Sequence, residues 1–214
     1  MENKMKVLLL NGSPKEKGCT FTALSEIAET LEAEGIQSEI FYIGCDPIAP
    51  CKACGACGKI GKCVINDKVN ELLERLNEFD GFILGSPVHY AAASGNIVPF
   101  LHRLFYANAR AGKADLRLKP GSAIASARRA GTTATIDQLN KYFQIQQMPV
   151  ISGRYWNMVH GNTPDETRQD IEGMQNMRIL ARNMAYYLKM KEAADKAGIP
   201  LPEKEETVFT NFIR

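Results

Sequence analysis

Three short apolar runs, each closing on a turn of small and polar residues, constrain this chain more than any other feature. Val7-Leu8-Leu9-Leu10 runs into Asn11-Gly12-Ser13-Pro14, and Gly81-Phe82-Ile83-Leu84 into Gly85-Ser86-Pro87. Ser122-Ala123-Ile124-Ala125-Ser126 runs into Ala127-Arg128-Arg129-Ala130-Gly131. A continuous apolar run of this length suits a strand covered on both faces, as strands are in a parallel sheet. Helical spacing fills the gaps. Leu24, Ile27, Ala28 and Leu31 share a face, with Gly35 as a stop. Val69, Leu72, Leu73, Leu76 and Phe79 share another behind a cap at Asn66. Further helices are predicted over 94–108 and 136–143, and further strands over 37–43 and 149–151. Thr163-Pro164-Asp165-Glu166 opens a last helix with a cap, a proline and an acidic first turn, predicted to reach Lys191. Five strands alternating with helices predict a doubly wound α/β domain. In such a sheet the carboxyl ends of the strands meet where ligands bind, so the three turns point at one site.

Composition agrees with one such domain. The chain has 214 residues, 45% hydrophobic and 23% charged. That is enough apolar material for a core without disulfides. We divide it into a domain over 1–191, with an inserted loop over 45–64, and a polar, proline-bearing tail over 192–214. With 26 Lys and Arg against 24 Asp and Glu, the net charge is +2. A near-neutral chain carries no footprint for nucleic acid or a membrane surface. No run approaches the roughly 18–20 apolar residues of a membrane span. The polar start over 1–6, with only a short apolar run behind it, is not expected to act as a signal peptide. The expected location is the cytoplasm.

The first turn, from Gly12 to Thr20, offers hydroxyls, lysines and backbone N–H groups at a helix start, which suits a phosphate. It matches neither the Walker A loop nor the Gly-x-Gly-x-x-Gly fingerprint. A plain polar turn with a capping residue fits it equally well. The second turn adds Pro87, Val88, His89 and Tyr90: a rigid ring, an imidazole and a phenol beside the same mouth. Flat groups of this kind suit an isoalloxazine ring. The third supplies Ser126, Arg128, Arg129 and Gly131 as donors to the pyrimidine end, where cationic groups favour the anionic reduced flavin. A solvated surface pair is the other reading of the two arginines.

Four of the six cysteines fall in one short stretch, Cys51-x2-Cys54-x2-Cys57-x5-Cys63, apart from Cys19 and Cys45. Three thiolates three residues apart let a loop curl around one small inorganic core, as in the ferredoxin pattern. Gly55, Gly58 and Gly61 ease the turns. Zinc is the competing metal, although its sites usually show two separated Cys-x2-Cys pairs. Free thiols without metal are the third reading.

Gly12-Ser13-Pro14-Lys15 with Thr20, followed by Gly85-Ser86-Pro87-Val88-His89-Tyr90, resembles the NAD(P)H-dependent FMN reductase branch of the flavodoxin-like fold. The resemblance implies five parallel strands in the order 2-1-3-4-5, flanked by helices. It places Ser13, Lys15, Cys19, Thr20 and Thr22 near the FMN phosphate, with Lys17 as an addition, and Pro87, Val88, His89 and Tyr90 along the ring. Cys19 is a departure, because the family often has Asn there. Ala49-Pro50-Cys51-Lys52-Ala53-Cys54-Gly55-Ala56-Cys57 with Cys63-Val64-Ile65 is similar to the iron–sulfur flavoproteins, the same fold with a [4Fe–4S] cluster in this loop. That resemblance makes Cys51, Cys54, Cys57 and Cys63 the cluster ligands. It also implies a homodimer or tetramer.

The expected activity is electron transfer from NAD(P)H or a ferredoxin-type donor, through FMN and the cluster, to a small molecule or a ferredoxin-type protein. A cluster-free FMN, quinone or azo reductase and a non-catalytic electron carrier are the alternatives. His89 is a candidate proton donor, with a shaping role equally open. His102 reads as a packing or surface residue. Trp156 reads as the cover of an acceptor pocket or as ordinary core or interface.

Overall fold

The computed structural model describes residues 5–212. Residues 1–4 of the polar start and residues 213–214 of the tail lie outside them. The sheet runs in the order β2-β1-β3-β5-β6. β1 (Lys6–Asn11) pairs in parallel with β2 (Gln37–Tyr42) and β3 (Gly81–His89). β5 (Gly121–Ala127) joins β3 and β6 (Met158–His160) joins β5, both in parallel. A two-residue β4 (Ala92–Ala93) folds back antiparallel on the end of β3. Among the parallel strands alone this is the expected 2-1-3-4-5 order.

The apolar run of β1 feeds two cores at once, because successive strand side chains point to opposite faces. Val7 and Leu9 enter one cluster with Leu24, Ile27 and Leu31 of α1 (Cys19–Ala33) and with Met177, Leu180 and Met184 of α7 (Ile171–Lys196). Leu8 and Leu10 enter the other. There they meet α3 (Lys68–Arg75), α4 (Ile97–Ala111) and α5 (Thr132–Ile145) through Leu72, Phe100 and Leu139. Each fully buried Leu or Phe is worth about 1.5–3 kcal/mol relative to exposure, so the run holds both layers to the sheet.

The structure corrects several boundaries. Over 149–151 only Val150 bridges Gly121, and the edge strand proper is β6. The chain loops out over 152–156 because side chains hold its amides: Asn157 Oδ1 accepts from Gly153 N, and Asn176 Oδ1 accepts from Arg154 N and Tyr155 N. The cap of α3 is Asp67, not Asn66; its carboxylate accepts from Val69 N at 3.1 Å. The last helix divides at Asp170 into α6 (Pro164–Gln169) and α7, which runs past Lys191 to Lys196. Asp170 leaves helical geometry because its carboxylate accepts from His160 N of β6 at 2.6 Å and caps Gly173 N at 3.0 Å. The remaining turn of helix is α2 (Cys57–Ile60). Among the described residues no helix is long and apolar enough to cross a membrane.

Candidate functional site

Asn11, the last residue of β1, shapes the first loop. Its amide nitrogen donates to Glu16 O at 2.8 Å, and its oxygen accepts from Ser13 N at 3.1 Å. Ser13 Oγ in turn accepts from Lys15 N at 3.0 Å. The turn ends at Gly18, an extended residue that gives α1 no side-chain cap, and the first turn holds no acidic group. The leading amides of a helix have no partner within it and carry a partial positive charge. With exposed Lys15 and Lys17 beside them, this end fits an anion. Cys19 is half-buried, with its thiol 3.6 Å from Gly161 O. Thr20 and Thr22 face inward. Thr20 Oγ1 shares a 2.8 Å hydrogen bond with Ser126 Oγ, and Thr22 Oγ1 donates to Gly18 O at 3.2 Å.

The second loop is more strand than turn. β3 continues through Gly85, Ser86 and Pro87 to His89, and reverses only at Tyr90 and Ala91. Both have positive φ, 50° and 57°, the geometry of a two-residue hairpin usually given to Asn-Gly. His89 and Tyr90 stand exposed at the tip, with Pro87 and Val88 half-buried below them. The third loop presses on this hairpin. Gly131, at φ +96°, lies so close that a Cβ would sit 2.8 Å from both Ala91 Cα and Val88 Cγ1. Arg128 and Arg129 are exposed beside it, while Ser126 is buried. Ser94 ties the first loop to the second, donating from its hydroxyl to Gly12 O at 2.5 Å and from its amide to Ser86 Oγ at 2.9 Å. The three predicted turns thus lie side by side at the carboxyl edge of the sheet. Sequence reasoning missed Asn11 and Ser94. A polar residue ending an apolar run was the available signal for Asn11.

The cysteine loop lies against α4. Cys51, Cys54, Cys57 and Cys63 line a single pocket, with Arg103 and Tyr106 on its wall. Cys57 is buried at the start of α2, Cys63 is half-buried, and Cys51 and Cys54 are exposed. Ala53 and Gly55, at φ 53° and 67°, curl the chain between the first three, and Ala53 N donates to Cys51 Sγ at 3.4 Å. Cys45 is exposed and stays outside that lining. Asn70 of α3 holds the backbone of Cys63 at both ends, through Cys63 N at 2.9 Å and Cys63 O at 2.8 Å. Arg103 Nε donates to Cys63 Sγ at 3.3 Å. Burial alone would lower the pKa of Arg103, but Asp67 and Cys63 hold it above its ordinary value. Among the described residues no three of His, Cys, Asp and Glu come close enough to grip one metal ion. The four cysteines share one pocket, a donor set of the kind that zinc or an iron–sulfur cluster takes, and both N–H···S contacts suit thiolates.

The other residues singled out in the sequence lie elsewhere. His102 is exposed and packs on Tyr142, with ring centroids 5.7 Å apart. Trp156 is half exposed against Tyr155, on the wall of a cleft of about 390 Å³ between the edge loop and α5.

A parallel α/β sheet with an uncapped helix start, a flat-sided hairpin and a donor-rich loop at its carboxyl edge defines a flavodoxin-like cofactor-binding protein. The family of NADPH-dependent FMN reductases matches residues 5–163, so the chain belongs to that family and is a flavin oxidoreductase. An iron–sulfur flavoprotein of Methanocaldococcus jannaschii is 32% identical over 193 residues, covering 87% of this chain and 98% of the relative. An iron–sulfur flavoprotein of Methanosarcina thermophila is 28% identical over 190 residues, covering 87% and 96%. Among solved structures, a flavodoxin from the domain Archaea superimposes with a TM-score of 0.57 at 14% identity, covering 86% of this chain and 99% of the flavodoxin. That likeness shows the fold.

Proposed function

We propose that this chain moves electrons from NAD(P)H or a ferredoxin-type donor, by way of FMN and a [4Fe–4S] cluster, to a small-molecule acceptor or a ferredoxin-type protein. The observation that carries the proposal is the convergence of Cys51, Cys54, Cys57 and Cys63 on one pocket. The names of the relatives support it. Bound FMN supplies two-electron and one-electron chemistry, and a [4Fe–4S] cluster supplies one-electron chemistry.

The residues divide the work by position. Ser13, Lys15 and the leading amides of α1 hold the phosphate, with Cys19 beside them. Pro87, Val88, His89 and Tyr90 flank the ring, with His89 as the proton donor or as a residue that shapes the pocket. The Arg128–Gly131 loop offers donors at the pyrimidine end, which favours the anionic reduced form. We place this activity in the flavodoxin-like domain, whose last helix carries it past 191 to Lys196, in the cytoplasm, in a homodimer or tetramer.

Anaerobic purification, followed by the visible spectrum and by iron, zinc and sulfide assays on one sample, tests this reading. Flavin bands with about four irons and four sulfides per chain are expected. Flavin without iron would establish a cluster-free reductase instead. Zinc without sulfide would make the cysteines structural, and a sample without flavin would overturn the assignment of the three loops.

A further inference from the structure

Arg103 heads the fully buried side chains of the described residues in size, with none of its side chain exposed. A buried guanidinium is costly unless its charge is paired and its five N–H donors are met. Here all five are used. Nε donates to Cys63 Sγ at 3.3 Å. Nη1 donates to Asp67 Oδ2 at 2.6 Å and to Ala49 O at 3.4 Å. Nη2 donates to Asp67 Oδ1 at 2.9 Å and to Ile65 O at 2.8 Å. Core packing does not call for this residue. Its neighbours on α4, Phe100, Leu104 and Ala107, are buried and apolar, and Met would fill much of the same space. What Arg103 adds is a grip on both flanks of the cysteine loop and a donor aimed at one sulfur. Asn70 fixes the main chain of that same cysteine, so Cys63 is held at both backbone and side chain.

We propose that Arg103 is a positioning residue that presets Cys63 and raises the reduction potential of the iron–sulfur group, with Asp67 partly offsetting it. The proposal rests on the reading that Cys63 is one of the four ligands. Hydrogen bonds to ligand sulfurs and nearby fixed charge are among the factors that set such potentials. Arg103 acts on a one-electron step without proton transfer. A bound cluster that took one electron from an external reductant such as dithionite would gain negative charge, and the Nε–H that donates to Cys63 Sγ would be placed to stabilise it. The guanidinium therefore favours the reduced form. The Asp67 carboxylate, bonded to the same guanidinium, opposes that preference.

The test compares anaerobically purified wild type, Arg103→Met, Arg103→Lys and Asp67→Asn. Iron and sulfide are assayed, and the midpoint potential of the cluster is read by EPR during redox poising. Arg103→Met should raise the oxidised-to-reduced ratio at a fixed potential about tenfold, equivalent to a fall of about 59 mV for one electron. Arg103→Lys should fall between it and wild type. Asp67→Asn should move the potential the opposite way, because Asn preserves the α3 cap while removing the opposing charge. The flavin potential, read from its absorbance in the same samples, should not move. Equal midpoint potentials in wild type, Arg103→Met and Asp67→Asn, with iron and sulfide intact, would overturn the proposal. If Arg103→Met loses iron, Arg103→Lys decides: a potential below that of wild type supports the proposal and an unchanged potential overturns it. Wild type without iron would remove the cluster reading itself, and this proposal with it, before any variant is compared.

Discussion

Replacing Thr20 by Val separates two roles for one hydroxyl. The family resemblance places Thr20 near the FMN phosphate, whereas the structure turns its hydroxyl to Ser126 at 2.8 Å, with the two residues 1% and 3% exposed. Val has nearly the same shape, so the methyl that packs against Gly85 keeps its place and no cavity opens. One hydrogen bond is lost, about 1 kcal/mol net, and the stranded Ser126 hydroxyl brings the cost to about 1–3 kcal/mol. Taking about 2 kcal/mol for a chain of this length, Tm should fall by about 4–8 °C. Thr20→Val with Ser126→Ala removes both partners, so the double variant should be no less stable than either single one. Urea and thermal unfolding of the flavin-free protein measure the cost, and quenching of FMN fluorescence measures affinity. Affinity should change by less than about tenfold, that is, by less than about 1.4 kcal/mol. A larger loss of affinity with unchanged unfolding would show that the hydroxyl serves the phosphate, and the reasoning would fail.

Gly131→Val should push the hairpin off the third loop, because its Cβ would lie 2.8 Å from Ala91 Cα at a φ of +96°. FMN affinity should drop about tenfold or more, equivalent to about 1.4 kcal/mol, while far-UV circular dichroism stays native; unchanged affinity would separate the hairpin from the flavin site. Acid stability should respond to Glu39, whose carboxyl Arg75 holds down at about 2 from the usual 4.5, with burial opposing and Lys6 assisting. A lowered folded-state pKa gives stability that is present above pH 4.5 and lost as pH falls toward 2. After allowance for the partly exposed setting we expect about 1–2 kcal/mol. Arg75→Met should therefore flatten the difference in urea stability between pH 5 and pH 3, and an undiminished slope would refute the linkage. Cys54→Ser should lower the iron and sulfide content and leave FMN bound; flavin lost along with the iron would join the two sites.

Much of this arrangement is legible in residue order because it rests on local chemistry. Val7 to Leu10 are apolar at every position, which marks a strand between two cores. The turns after β1, β3 and β5 announce themselves through Gly, Ser and Pro, and the topology of a parallel sheet gathers them. The cysteine spacing is a local signal too. What stays hidden depends on partners distant in the chain. Arg103 sits among Phe100, Leu104 and Phe105, and nothing in α4 tells that Asp67 and Cys63 wait beside it. Thr20 reads as a loop hydroxyl until β5 brings Ser126 against it. The strand expected at 149–151 has the right composition, but Asn157 and Asn176 draw the next residues out of the sheet. The break at Asp170 has no glycine or proline to announce it, because the cause is a backbone amide of β6.

The looped-out edge also bears on how copies of this chain associate. An unpaired sheet edge invites another strand. Along β6 and the loop before it, His160 N is taken by Asp170, Gly153 N by Asn157, and the amides of Arg154 and Tyr155 by Asn176. The opposite edge, β2, has a neighbour on one side only. Growth of a fibre by strand addition requires each molecule to offer two receptive edges, one at each end. With the amides of one already held from within, a strand added at β2 would find no equally receptive edge at β6 from which a fibre could continue.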